Sequence, residues 1–401
     1  MILLILVGGF GVATIGSIYA SIDLEENAPR IARELRMVPA PTTGERYPET
    51  ALAYWDFADD QTAVQVIQTR FMQLQPTLLA LGAARLEIFA SFCLPSILAQ
   101  SSRKFLWLIR ADPDLDRELR DSLIAMIQQY PNIILIGSNE NPEGFRSGSS
   151  VADVTSSNVW SGSYELLRRF HNAASSRVII ETRLDADDGL NFGFVEHMQR
   201  AATQEISLAR HEWVVHCSSA HLEWHLASPF KQQLKGSDGG YFVGVNHQGC
   251  ITPGLSFVYG TNVTRREMPR GAHSDFHKKA PLCGDKIKTK CIRHTKLVPA
   301  AIRARTPTSA GMANVVVGGH EQNLLNRPRE TDADFQEALW IGAGKAFHVE
   351  REKVRALSRS LNQHLPEIVA DNLKGQCTKG HSCKDTSKLI LKELLKKSAR
   401  T

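Results

Sequence analysis

Along residues 62–200 apolar and polar positions switch repeatedly between two periods. Residues 64–72 (V-Q-V-I-Q-T-R-F-M) are rich in β-branched side chains and predict a strand with Arg70 near its end. Residues 78–100 place Leu81, Ala84, Ile88, Phe89, Phe92 and Ile97 near helical spacing, with Pro95 expected to bend or end that helix. A strand follows at 105–109, then a helix at 115–129 and a strand at 132–137. A third helix at 164–174 leads into the apolar run Val178, Ile179, Ile180, read as a buried strand ending at Leu184. Gly189 then allows a sharp turn, and Phe192, Phe194, Val195 and Met198 restart a helical pattern. This β-α-β-α-β-α-β order predicts a doubly wound α/β fold, a mixed sheet flanked by helices.

Further on, 214–216, 241–245 and 255–259 are strand-like, with 250–255 (C-I-T-P-G-L) as a turn between two of them. Past residue 330 the pattern is helical, at 334–340 and 349–361, with a basic amphipathic tail at 388–397 in which no chemistry is evident. Residues 1–22 carry no charged side chain. As a helix they span roughly 33 Å, enough to cross a bilayer. A signal-anchor is the favoured reading. A cleaved signal peptide would show a basic start, and a Rossmann start fails because Thr14 occupies the third glycine position. Arg30, Arg33 and Arg36 on the C-terminal flank leave the orientation open. The expected division is therefore a membrane segment at 1–22, a stem at 23–60, a catalytic body at 61–330 and a helical extension at 331–401.

Composition changes this picture little. A chain of 401 residues, 43% hydrophobic and 22% charged, is that of a globular protein with length to bury a core. The formal net charge of +5 is mild, and no dense basic stripe or nucleic-acid module is present, so no nucleic-acid partner is expected. Seven cysteines form no zinc pattern. Cys377 with Cys383, and Cys283 with Cys291, are the expected disulfide pairs, and Asn262-Val263-Thr264 is a glycosylation sequon; both suit a secretory lumen.

The chemistry concentrates where the fourth strand ends. Asp185, Asp187 and Asp188 fall within four residues, and acids so close repel one another unless a cation sits between them. Oxygen ligands of this kind select a hard divalent ion, Mn²⁺ or Mg²⁺, whose coordination is usually shared with a substrate phosphate. An ordinary acidic loop is the bland alternative. A calcium EF-hand also places acids at 185, 187 and 196, but Leu190 occupies its glycine position and a strand, not a helix, leads in. Open α/β sheets bind ligands beyond the C-terminal ends of their strands. Arg70 and Asp112, at the ends of the first two strands, would face the same crevice, Arg70 meeting a diphosphate and Asp112 a base or ribose. Each could equally be a surface ion pair.

Five blocks carry a resemblance: T-R-F at 69–71, R-L-E-I-F-A-S-F-C-L-P-S-I-L-A-Q at 85–100, F-L-W-L-I at 105–109, R-L-D-A-D-D-G-L at 183–190 with F-V-E at 194–196, and, more loosely, G-G-H-E-Q-N at 318–323. With them the chain resembles a rhamnosyltransferase family, similar to GT-A-type glycosyltransferases, over residues from about 60 to 330. The resemblance implies a GT-A-like fold, a nucleotide-diphosphate sugar donor, a carbohydrate or glycoconjugate acceptor, and a D-x-D-D metal motif. It implies Asp187 and Asp188 as metal ligands, Asp185 as a contact to the donor, and His320 as a late ligand, ahead of His273. Asp275 is a candidate base for the acceptor hydroxyl. The uncharged run at 1–22, with the cysteines and the sequon, predicts a single-pass membrane protein of the Golgi or another secretory compartment. The alternative from another class is a non-catalytic carbohydrate- or nucleotide-binding protein on the same fold.

Overall fold

The computed structural model describes residues 63–140, 145, 154–207, 212–218, 220–226, 239–246, 250–263, 268, 291–309 and 332–377. The strands are β1 (Ala63–Phe71), β2 (Leu106–Ala111), β3 (Ile133–Gly137), β4 (Val159–Ser161), β5 (Val178–Asp185), β6 (Asp188–Leu190), β7 (Trp213–Cys217), β8 (Ala220–His225), β9 (Tyr241–Asn246), β10 (Leu255–Tyr259), β11 (Ile292–His294) and β12 (Ala301–Arg305). The helices are α1 (Leu79–Leu98), α2 (Arg117–Ile127), α3 (Tyr164–Ala174), α4 (Phe194–Ser207), α5 (Ala333–Phe347), α6 (Arg351–Gln363) and α7 (Leu365–Cys377).

Eight strands form one mixed sheet in the order β11-β7-β10-β5-β1-β2-β3-β4. Its centre, β5-β1-β2-β3, is parallel, as connections through helices require. β10 runs antiparallel beside β5, and β4 antiparallel beside β3. Both faces are covered, which is why the central strands read as near-continuous apolar runs. Ile67, Phe71, Trp107 and Ile109 pack toward α1 and α2, while Val64, Val66, Leu106 and Leu108 pack toward α3. Local signals agree with the global fold at the helix starts. Asp116 caps α2 by accepting from the Glu118 and Leu119 amides, and Ser163 caps α3 by accepting from Leu166.

The single expected sheet is in fact two. β6, β12, β8 and β9 make a second mixed sheet in the order β6-β12-β8-β9. Of these only β9 was legible as a strand. Gly189 is correspondingly not a turn residue but the middle of β6, pressed onto α1. A Cβ there would lie 2.8 Å from Ser96 Oγ and 3.0 Å from the Phe92 carbonyl oxygen, so only glycine permits the approach. Pro95 does not end α1. The turn Phe89–Cys93 widens to π geometry just ahead of it, which accommodates a residue without an N–H.

α1 is long and apolar enough to cross a membrane by length and composition, but 67% of its apolar 18-residue stretch is buried inside the fold, as befits a core helix. The expected C-terminal helices are present, the first extended to Ala333–Phe347 and the second shifted by two residues to Arg351–Gln363, and α7 follows them. The predicted membrane segment at 1–22, the stem and the basic tail at 388–397 lie outside the described residues.

Candidate metal and phosphate cleft

β5 carries Asp185 to the C-terminal edge of the parallel strands, where it stands opposite Arg70 of β1. The chain then crosses to the second sheet, and Asp188 opens β6 opposite Arg303 of β12. The acidic motif is thus the hinge between the two sheets. One carboxylate oxygen from each of Asp185, Asp187 and Asp188 lies within 4.8 Å of the others. Ser309 Oγ stands 2.9 Å from Asp187 Oδ2, and the Ala304 N–H donates to the Asp187 carbonyl oxygen at 3.2 Å.

The electrostatics follow from this crowding. Burial, then the neighbouring Asp187 charge, push Asp185 up to about 6, against the pull of Arg303, Arg70 and a hydrogen bond from Thr252. Asp188, almost fully buried, is pushed well above the ordinary carboxylate range by burial and then by Asp187, despite Arg303 and Arg305. Three hard oxygen donors whose mutual repulsion a divalent cation would relieve are a donor set suited to Mg²⁺ or Mn²⁺. This group could bind a metal.

The acids open into a cleft of about 430 Å³ that Arg70, Arg85, Arg303 and Arg305 also line. Arg85, reaching out of α1, donates to Gln75 Oε1 at 2.8 Å and to the Thr308 carbonyl oxygen at 3.0 Å. Burial lowers its pKa, but Asp187 and Asp185 oppose that. The loop after β1 lines the cleft too, and in it Met72 and Leu74 adopt left-handed φ angles of 51° and 59°. For non-glycine residues each costs on the order of 1–3 kcal/mol, and the loop keeps this shape only because it is held. Asp112 Oδ2 accepts from the Leu74 N–H at 2.9 Å and Asp112 Oδ1 from the Asp114 N–H at 2.9 Å. Leu74 itself is 63% exposed at the lip of the cleft.

Of the residues singled out from the sequence, the structure brings Arg70, Asp185, Asp187 and Asp188 together in one cleft. Asp112 stands apart: it is buried, its carboxylate is taken up by backbone N–H groups, and it shapes the wall without lining it. Asp275, His320 and His273 lie outside the described residues, as do Cys383 and Cys283, one member of each expected pair. A disulfide that spacing did not suggest joins Cys217 to Cys250, and Cys291 is also disulfide-bonded. The former anchors the start of the turn that carries Thr252 to Asp185. Thr252, Arg303, Arg305 and Ser309 were missed. The one signal for the arginines was the alternation A-I-R-A-R at 301–305, which places both on one face of a strand.

Residues 79–220 match the family described as "Putative rhamnosyl transferase". Over that span the chain carries this family's pattern. The match takes in the blocks at 85–100, 105–109, 183–190 and 194–196, hence α1, β2, β5, the three acids and the start of α4. T-R-F at 69–71 and G-G-H-E-Q-N at 318–323 fall outside it. No curated protein matches the chain.

Proposed function

We propose that the protein is a divalent-metal-dependent glycosyltransferase that moves a sugar from a nucleotide-diphosphate donor to a hydroxyl acceptor. One observation carries this reading: the acid triad at the C-terminal edge of the parallel strands shares a single cleft with four arginines. Binding at that edge is the habit of open α/β sheets. The family match over the same strands supports the transferase class. Asp187 and Asp188 would hold the ion, Mn²⁺ or Mg²⁺, with Asp185 oriented by Thr252 toward the donor. When bound, the ion supplies positive charge beside a departing nucleoside diphosphate. Arg70, Arg303 and Arg305 offer guanidiniums to phosphate oxygens, which they match with paired N–H donors. If the reaction inverts, Asp275 is the candidate base for the acceptor proton, and His320 is the candidate further ligand.

The test is release of free nucleotide from a panel of sugar-nucleotide donors, rhamnose among the sugars, with and without Mn²⁺. Metal-dependent release that disappears in Asp187→Ala supports the transferase. Tight binding of a sugar nucleotide with no turnover over a broad acceptor panel would instead make the protein a non-catalytic binder.

A lumenal, membrane-anchored location is part of the same reading. The uncharged run at 1–22 supports it, as do the Cys217–Cys250 disulfide and the Asn262 sequon, since disulfides persist in oxidising compartments. The Golgi is the compartment that such a transferase would suit.

A further inference from the structure

The face of the second sheet that presents Arg303 and Arg305 also bears three residues of β8 for which metal binding has no use: His221, Glu223 and His225. Alternation along the strand puts all three on one side. The β8–β12 register sets Glu223 against Arg303 and His225 against Arg305. Glu223 Oε1 lies 3.6 Å from Arg303 Nη1 and 3.5 Å from Arg305 Nε. Behind it, His221 Nε2 is 3.5 Å from Oε1 and His225 Nε2 is 3.3 Å from Oε2. Both histidines are buried. The two arginines line the cleft with the acids; Glu223 and the histidines do not.

The arrangement poses a problem of competition. Arg303 stands opposite Asp188 across β6 and β12, and the charges of both arginines act on Asp188. Guanidiniums prefer two-pronged pairing with carboxylates, and nothing attracts them more than three clustered acids. Yet among the described residues their ion pairs run to Glu223. Nor is Glu223 suited to take a proton. Burial raises its pKa, but hydrogen bonds from His221 and His225 and the Arg305 charge overturn this and hold it far below the carboxylate range. A carboxylate so weakly basic is an anchor.

We propose that Glu223, clamped by His221 and His225, is a positioning residue that holds Arg303 and Arg305 off the acid triad, leaving the acids to a divalent cation and the guanidiniums to a phosphate. This rests on the metal-and-diphosphate reading of the cleft.

The experiment measures Mn²⁺ affinity of the full-length protein by the electron paramagnetic resonance signal of free Mn²⁺, with thermal stability followed in parallel. Glu223→Gln keeps shape but removes the charge, and is expected to weaken Mn²⁺ binding about tenfold, as loss of an outer partner does at metal sites. Adding Arg303→Gln and Arg305→Gln to that variant should restore near wild-type affinity, because the competing cations are gone. A carboxylate that merely braces the sheet would lower the melting temperature and leave Mn²⁺ affinity unchanged. That result, or a triple variant that is not restored, overturns the proposal. Should Glu223→Gln not fold, Arg303→Gln with Arg305→Gln decides it. That pair should keep Mn²⁺ affinity and lose the extra thermal stabilisation that inorganic pyrophosphate adds with Mn²⁺; loss of Mn²⁺ affinity there counts against the proposal. Wild-type protein that binds no Mn²⁺ through Asp187 would instead sink the metal reading, and this inference with it.

Discussion

Burial and then the neighbouring Asp187 charge push Asp185 up to about 6, and that shift makes a signed claim about stability. A carboxyl whose folded pKa lies above its unfolded value binds more protons when folded. Its effect is therefore to weaken the metal-free protein as pH rises from about 4 toward and past 6. Asp185→Asn should raise the melting temperature of metal-free protein at pH 7.5 and raise it much less at pH 4.5; equal shifts at both pH values would show that Asp185 is not the strained group. By the same logic Mn²⁺ must compete with protons, so its affinity should fall as pH drops through about 6. Asp187→Ala removes both a proposed ligand and the charge that perturbs Asp185. It should lose the thermal shift that Mn²⁺ with a nucleoside diphosphate gives wild type, since only a ligand that prefers the native state stabilises it. An undiminished shift in this variant would remove the triad from the metal site.

At the scale of elements, the acids owe their position to α1 and to the C-terminal helices. Ser96 Oγ of α1 accepts from the Leu190 N–H at 3.1 Å, and Gln100 Nε2, just beyond the helix, donates to the Asn191 carbonyl oxygen at 2.8 Å. Gly189→Val would drive a branched side chain into this contact. Overpacking of that kind costs about 1–3 kcal/mol, and here it should also displace Asp188. Calorimetric unfolding would check the first effect and Mn²⁺ titration the second, and a fully stable variant would mean that β6 can move off α1. α7 acts from further away. Asn372 Nδ2 donates to the carbonyl oxygens of Pro307 and Ser309, holding the turn that brings Ser309 to Asp187. Asn372→Ala should cost on the order of 1–2 kcal/mol and loosen Mn²⁺ binding without touching a ligand.

For the whole molecule, the uncharged N-terminal run predicts that full-length protein sediments with membranes and resists alkaline carbonate. Deleting residues 1–40 should release a soluble, folded body, because the described fold begins with β1 at Ala63. Extraction of intact protein by carbonate would rule out a spanning helix.

By itself the sequence determined the elements that are written locally. β1, α1, β2, α2, β3, α3 and β5 show their period over contiguous residues, and α3 (Tyr164–Ala174) coincides with its expected range. The acid triad was equally legible, since three carboxylates within four residues need no partner from afar to mark them. What the tertiary structure alone decided are the pairings between distant residues. β6 and β12 are three and five residues long, too short for a period to declare itself, and they exist because each completes the other's hydrogen bonds across more than a hundred residues. With them came Arg303, Arg305 and Ser309 opposite the acids, Asp112 turned to its loop, and Gly189 pressed on a helix. Each depends on a neighbour that packing supplies and that no stretch of adjacent residues encodes.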